Sequence, residues 1–489
     1  MFKKIKAFLF ENRSGRQRVA KNTAWLTISN YGGRLIKAAI VIYAARVLDT
    51  AGYGVFSYAV TLAGFVALFL DPGVNFILIR ETTKVSEERK MAVFATTFLI
   101  KLTLVVIGVL LIIFVGPSFS TLPGAAALLP LVAIILSFDT FREFFSSLLR
   151  SEERMEVDAG IFLLTNLAVV IFGFVFLFIS RTPYALTLAY ALGTLVGGLT
   201  AFFVTLRFLI KSFAHRSMTL AMTVLKAAWP FAVIGALGLL LTNTDILIIS
   251  WIRSASDVGI YSAAIRIVQV FYVIPGIIQA STMPAFARLA KDEPSRFRGG
   301  FERTLGFIFL ASVPLAVGGL ILGSSVMSFV FGAAYAAGGL SLSLLMFGMM
   351  FDFPASVIAS AVFAYDHQRG LIVSSAIAGI SNIVLDLLLI PHFGIAGSAV
   401  ATLLAQIFSN WYLWRLMGRI NHFNISGKLA RLIPAGLIMG AATAAMLFLH
   451  VNVLVNVIAS GAIYFALLWL LRESTFTELK DLIVNHARA

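Results

Sequence analysis

Cysteine is absent from the 489 residues, and histidine occurs only 6 times. Without a thiol the chain has no disulfide framework, no thiolate metal site and no thiol nucleophile. The histidines form no HExxH pair or cluster, and neither a Walker loop nor a GxSxG elbow occurs, so no catalytic metal, ATPase or serine hydrolase is expected. No cofactor is expected either. Charge is scarce as well: 12% of the residues are Asp, Glu, Lys or Arg, about half the share of a soluble domain.

What fills the chain instead is apolar. Hydrophobic residues make up 60% and the mean hydropathy is +0.94, which places the chain among polytopic membrane proteins. Runs of about 20 apolar residues centre on about fourteen windows: 23–45, 54–71, 91–115, 125–148, 158–180, 185–209, 228–252, 259–284, 303–325, 338–364, 371–390, 395–416, 431–450 and 452–471. The fold expected is all-α. The last two windows almost touch, so twelve or thirteen spans is the alternative count. The N-terminus is basic (Lys3, Lys4, Lys6, Arg13, Arg16, Arg18, Lys21), and the apolar stretch after it is long and interrupted by Arg34 and Lys37. It reads as a retained first helix, not a signal peptide.

The basic residues test that count. With a cytoplasmic N-terminus and alternating spans, about 30 of the 38 Lys and Arg fall in inner segments, about 3 in outer turns (Arg46, Arg181, Arg253) and about 5 in helix interiors, as the positive-inside rule requires. Both termini are therefore expected in the cytoplasm, with the protein in the cell membrane. The net charge of +15 is largely this inner belt, suited to anionic lipid headgroups. No nucleic acid is expected as partner, because the basic residues are spread over many short loops.

The chain repeats itself. Gly54-Val-Phe-Ser-Tyr-Ala59 aligns with Gly259-Ile-Tyr-Ser-Ala-Ala264, Asn166 corresponds to Asn382, and Arg154 to Arg369. Two pseudo-symmetric six-helix bundles of the same direction, plus two C-terminal helices, account for this. Parallel repeats in transporters place the substrate between the halves. The expected organisation is a basic N-terminus at 1–22, a first bundle at 23–210, a basic linker loop at 211–227, a second bundle at 228–416, two additional helices within 417–471, and a tail at 472–489.

Polar residues inside the spans carry whatever chemistry there is. Asn243 and Asp245 lie in the seventh span; Ser262, Arg266 and Gln269 share one face of the eighth at i, i+4 and i+7. A central Arg costs roughly 2.5–3.5 kcal/mol on an insertion scale, so it normally faces a water-filled cavity or a partner. Asn30, Arg34 and Lys37 share a face of the first span, and Lys101 lies within the third. Arg34, Lys37, Lys101 and Arg266 form a cationic set suited to one anionic cargo; the plainer account has Lys101 snorkelling to headgroups and Arg34 paired with a carboxylate. Asp139, Arg142 and Glu143 form an ion-pair cluster or a gate. Asp245, Asp352 and Asp386 can take up a proton or Na⁺, or serve as counter-ions of arginines. Asp71, Arg80 and Glu81 in DPGVNFILIRE read as a turn with a solvated ion pair.

Two stretches carry a family resemblance. DVGIYSAAIRIVQVFYVIPGIIQASTMPAFARL resembles the seventh-to-eighth helix connection of the oligosaccharide flippases, the polysaccharide transporter branch of the multidrug/oligosaccharidyl-lipid/polysaccharide exporter superfamily. AARVLDTAGYGVFSYAVTLAGFVALFLDPGVNFILIRE is similar to the first-to-second helix connection of the same family. The resemblance implies a transporter, not an enzyme. It would move a polyprenyl-pyrophosphate-linked oligosaccharide from the inner to the outer leaflet by alternating access, for cell-surface polysaccharide synthesis. Implied partners are the lipid-linked oligosaccharide, polymerisation machinery and a coupling ion, H⁺ or Na⁺. A lipid II flippase and a cation-coupled multidrug exporter of the same superfamily are the alternatives. The exporter would favour acidic rather than basic cavity residues.

Overall fold

Backbone amides in hydrocarbon must be satisfied within their own segment, so apolar runs of this length can only be helices or a closed barrel. The computed structural model describes residues 15–82, 85–215 and 217–478, and among them there are helices and no strands. Ten helical stretches are long and apolar enough to cross a membrane. The basic residues Lys3, Lys4, Lys6 and Arg13, and the side chains of Asn30 and Asn243, lie outside the described set. The chain divides into two compact units, 1–259 and 260–489.

Unit 1 holds α1 (Gly15–Val47), α2 (Asp49–Leu70), α3 (Val74–Thr82), α4 (Glu87–Leu110), α5 (Leu129–Ser151), α6 (Met155–Ile179), α7 (Pro183–Ser212), α8 (Met218–Ile252) and the start of α9 (Ala255–Phe271). Side-chain caps mark several starts: the hydroxyls of Ser86, Thr182 and Ser217 accept from the amides of Arg89, Ala185 and Leu220. Pro183 sits at the first turn of α7, where its missing N–H costs nothing. α6 packs on α1 and α7, α5 on α7, and α8 on α2. An aromatic core of Phe94, Phe144 and Phe145 with Leu78, Leu148 and Ile161 joins α3 to α6. The segment 211–227, expected as a loop from its basic residues, is mostly helical: α7 reaches Ser212, a 3₁₀ turn follows at Phe213–His215, and α8 starts at Met218.

The two glycines that begin the repeated hexapeptides meet. A Cβ on Gly54 would collide with the carbonyl oxygen of Ala255, and a Cβ on Gly259 with that of Thr50. Close by, the hydroxyls of Thr50 and Ser256 share a 2.7 Å hydrogen bond. Only hydrogen side chains permit this crossing of α2 and α9. Gly54→Ala is therefore expected to lower stability by about 1–3 kcal/mol through overpacking. Gly64→Ala, where a Cβ meets nothing within 4 Å, is the control and should leave the melting temperature unchanged or slightly higher.

Unit 2 holds the rest of α9, α10 (Val273–Asp292), α11 (Pro294–Phe331), α12 (Gly339–Ala364), α13 (Gln368–Ile420), α14 (Ser426–Phe448) and α15 (Val453–Leu470). α12 packs between α11 and α13. At 53 residues α13 would be about 80 Å long if straight, far beyond the ~30 Å of a hydrocarbon core. It is not straight. Three residues after Pro391, Gly394 leaves the helical region (φ 59, ψ −141), and the two arms run back alongside each other. Ser374 Oγ donates to Ser409 O at 3.2 Å, and Asn382 Nδ2 to Thr402 Oγ1 at 3.3 Å. α14 and α15 are joined by a turn in which Asn452 Oδ1 accepts from Leu454 N at 2.9 Å. A buried set then ties them: Thr443 and Ser460 hydroxyls 2.7 Å apart, and Asn456 Nδ2 donating to Thr443 O at 3.1 Å.

Candidate functional site

Among the described residues, Lys101, Arg142 and Arg150 are held by carboxylates, whereas Arg34 and Arg266 are not. α2 stops at Asp71-Pro72-Gly73, where proline supplies no amide and Gly73 takes φ 84 to turn the chain into α3. This leaves carbonyls at the negative end of α2. Lys101, fully buried on α4, donates to Leu70 O at 3.0 Å and lies 3.3 Å from Asp71 Oδ1. Asp71 Oδ1 in turn accepts from Asn75 N at 3.2 Å. The ammonium is committed to the end of α2. Asp71, expected in a solvated turn, is its partner; Arg80 and Glu81 do form an exposed pair at 2.9 Å.

Asp139, Arg142 and Glu143 are brought together on α5. Arg142 Nε and Nη2 donate to Asp139 Oδ1 at 3.0 and 2.9 Å, and Nη2 reaches Glu143 at 3.4 Å. The cluster is larger than the sequence implied. Arg150 bridges Glu143 at 2.8 Å and the buried Asp158 at 2.7 Å, while Lys90 pairs with Glu152 at 2.9 Å and Lys21 with Glu156 at 3.3 Å. Alternating charges thus link one end of α1, α4, α5 and α6. The spacing from Arg150 to Asp158 spans a turn rather than a helix face, which is why periodicity gave no signal for it.

Arg34 and Arg266 have different surroundings. Gly33 seats α1 against α6, since a Cβ there would lie 2.9 Å from Asn166 Nδ2. The next residue, Arg34, is exposed. Among the described residues it forms no ion pair and no hydrogen bond. Lys37 is half-buried, its ammonium 4.6 Å from the centre of the Tyr190 ring, a cation–π contact. In unit 2, Arg266 is half-buried and donates to Gln269 Oε1 at 3.1 Å, with no carboxylate partner among the described residues. Ser262 is buried one turn before it.

Three further carboxylates lie within the helices. Asp352 on α12 accepts from Tyr272 Oη at 2.7 Å. Tyr272 stands at the break between α9 and α10, outside any helical face, so no helical spacing singles it out. Gln279 Nε2 donates to Ser356 O at 2.9 Å, a second tie between α10 and α12. Asp386 is fully buried on the first arm of α13, one turn from Asn382, and Asp245 is buried on α8.

Known proteins resemble the chain at three levels. Over 33% of its length it is 29% identical to the probable flippase AglR of Haloferax volcanii, a match that spans only 35% of that protein. It is 22% identical to the putative O-antigen transporter of Shigella flexneri, over 81% of this chain and 98% of that one. The solved structure of lipid II flippase MurJ in an inward closed conformation superposes with a TM-score of 0.72, covering 93% of this chain and 99% of that chain at 18% identity. At that identity the likeness is one of fold. The family model for polysaccharide biosynthesis proteins matches residues 19–290, more than half of the chain. This multi-pass membrane protein therefore belongs to the polysaccharide biosynthesis protein family.

Proposed function

We propose that the chain is a flippase that moves a polyprenyl-pyrophosphate-linked oligosaccharide from the inner to the outer leaflet by alternating access. The observation that carries this reading is the state of two arginines. Arg34 and Arg266 have no carboxylate partner among the described residues, whereas Lys101, Arg142 and Arg150 are neutralised within the protein. A guanidinium without a counter-ion in an apolar helix suits an anionic guest, and pyrophosphate offers oxygens for bidentate pairing. The named relatives are a probable flippase and a putative O-antigen transporter, which favours a glycolipid over a small cationic drug. A lipid II flippase shares this cargo chemistry and remains the nearest alternative.

In this reading Arg34, Lys37 and Arg266 are each proposed as substrate-binding residues, and Lys101 shapes the end of α2. Asp245, Asp352 and Asp386 are proposed as sites where a coupling H⁺ or Na⁺ binds, and the α5 charge cluster as a gate. Fourteen spans with both termini in the cytoplasm complete the proposal. They are the ten apolar stretches, with α13 counted as two, together with α1, α5 and α8.

Transport in proteoliposomes tests it. The native chain should expose a labelled polyprenyl-pyrophosphate oligosaccharide at the far leaflet, and excess sugar-free polyprenyl pyrophosphate should inhibit while neutral polyprenol should not. Absence of flipping under imposed H⁺ and Na⁺ gradients would remove the assignment.

A further inference from the structure

The arms of α13 enclose a furrow of about 510 Å³ lined by Ile377 on the first arm and Ile407, Phe408, Trp411 and Tyr412 on the second. That volume falls within the ~300–1,000 Å³ range of small-molecule sites. Phe408 and Trp411 are 47% and 58% exposed. The same face of the second arm continues through Arg415 and Arg419, at i+4 and i+8 from Trp411, and the Arg415 guanidinium lies 4.4 Å from the Trp411 ring centre. A third arginine joins them from the other arm. Gly370 packs on the Leu416 side chain, which brings Arg369 to the level of Arg415 and Arg419. All three arginines are exposed, and none forms an ion pair among the described residues.

We propose that this furrow is a binding site for an anionic glycerophospholipid of the surrounding bilayer. One acyl chain lies against Ile377, Ile407 and Phe408, and the phosphate sits on Arg415 with Arg369 and Arg419 flanking it. The charge distribution selects the ligand: a furrow with no charged or amide side chain in its lining, ending at three arginines, complements a hydrocarbon chain ending in phosphate. Basic pockets between membrane helices bind anionic headgroups by this logic, at about 1 kcal/mol per nearby Lys or Arg. The cation–π contact with Trp411 holds the Arg415 guanidinium, whose fork suits bidentate phosphate contact. The lining carries no set of hydroxyl and amide groups for a sugar head, which separates this site from one for the glycolipid cargo. It stands independently of the transport reading.

The test uses Trp411 as reporter, with Trp25, Trp229, Trp251, Trp414 and Trp469 replaced by Phe. The protein is placed in phosphatidylcholine vesicles containing a small, equal fraction of brominated-chain phosphatidylglycerol or brominated-chain phosphatidylcholine. Quenching by the brominated phosphatidylglycerol should be several-fold greater, and Arg415→Gln with Arg369→Gln should abolish the difference. Equal quenching by both lipids would reduce the furrow to ordinary boundary-lipid contact and overturn the proposal. Relief of quenching by added polyprenyl pyrophosphate would reassign it to the cargo tail. Shielding from both lipids in a cross-linkable dimer would give it to a second copy of the chain. On the native chain, native mass spectrometry should show one retained phosphatidylglycerol that Arg415→Gln loses; unchanged retention in the variant would also overturn the site.

Discussion

Replacing Arg34 or Arg266 with Ala is expected to slow flipping of a polyprenyl-pyrophosphate oligosaccharide about tenfold to a hundredfold, the equivalent of losing one charged hydrogen-bonding contact of about 1.5–3 kcal/mol. Folding should survive both changes. Arg34 makes no polar contact among the described residues and is exposed, and Arg266 gives up one bond to a half-buried glutamine; substitutions of this kind usually stay within about 0.5 kcal/mol. Arg34→Lys should recover only part of the rate, because an ammonium offers a point charge where the guanidinium offers a fork. The measurement is initial flipping rate in proteoliposomes alongside thermal unfolding of the same preparations. Native rates in both alanine variants would eliminate the pyrophosphate role for these two residues.

The second large effect falls on stability. Lys101→Met removes the cation from the end of α2, leaving the Leu70 carbonyl without this donor and the Asp71 carboxylate without its counter-ion. Breaking a buried pair from one side costs about 3–5 kcal/mol, and because Asp71 keeps 33% of its side-chain exposure the expected loss is nearer 2–3 kcal/mol. Thermal unfolding in detergent should show a marked drop, and most of it should return in the double variant Lys101→Met with Asp71→Asn, which removes the orphaned charge. A methionine variant that melts like the native protein yet fails to flip cargo would instead make Lys101 a direct ligand.

Apolar runs of membrane length are a local property, so the helices were legible, and the separate windows 371–390 and 395–416 match the two arms of α13 on either side of Gly394. The identity of charged residues inside those runs was equally plain. Their partners were not. Asp71 is 30 residues from Lys101, and Asp158 lies beyond a turn from Arg150; neither spacing falls on a helical face, and pairing across helices is decided by packing. The basic stretch 211–227 reads as a loop by its charge, yet a helix carries exposed cations along one side without breaking. For Tyr272 there was no signal at all, since its role depends on a break between helices that no periodicity describes.

The crossing of α2 and α9 has a further consequence. Each glycine faces the carbonyl four residues before the other, so at these two positions the segments meet reciprocally, as the halves of an isologous interface do. A reciprocal contact of this kind gives duplicated sequence a common constraint. Drift at one glycine cannot be compensated by the other, because both are already at the minimum size. Gly54→Ala and Gly259→Ala should therefore be equivalent lesions, each the counterpart of the other.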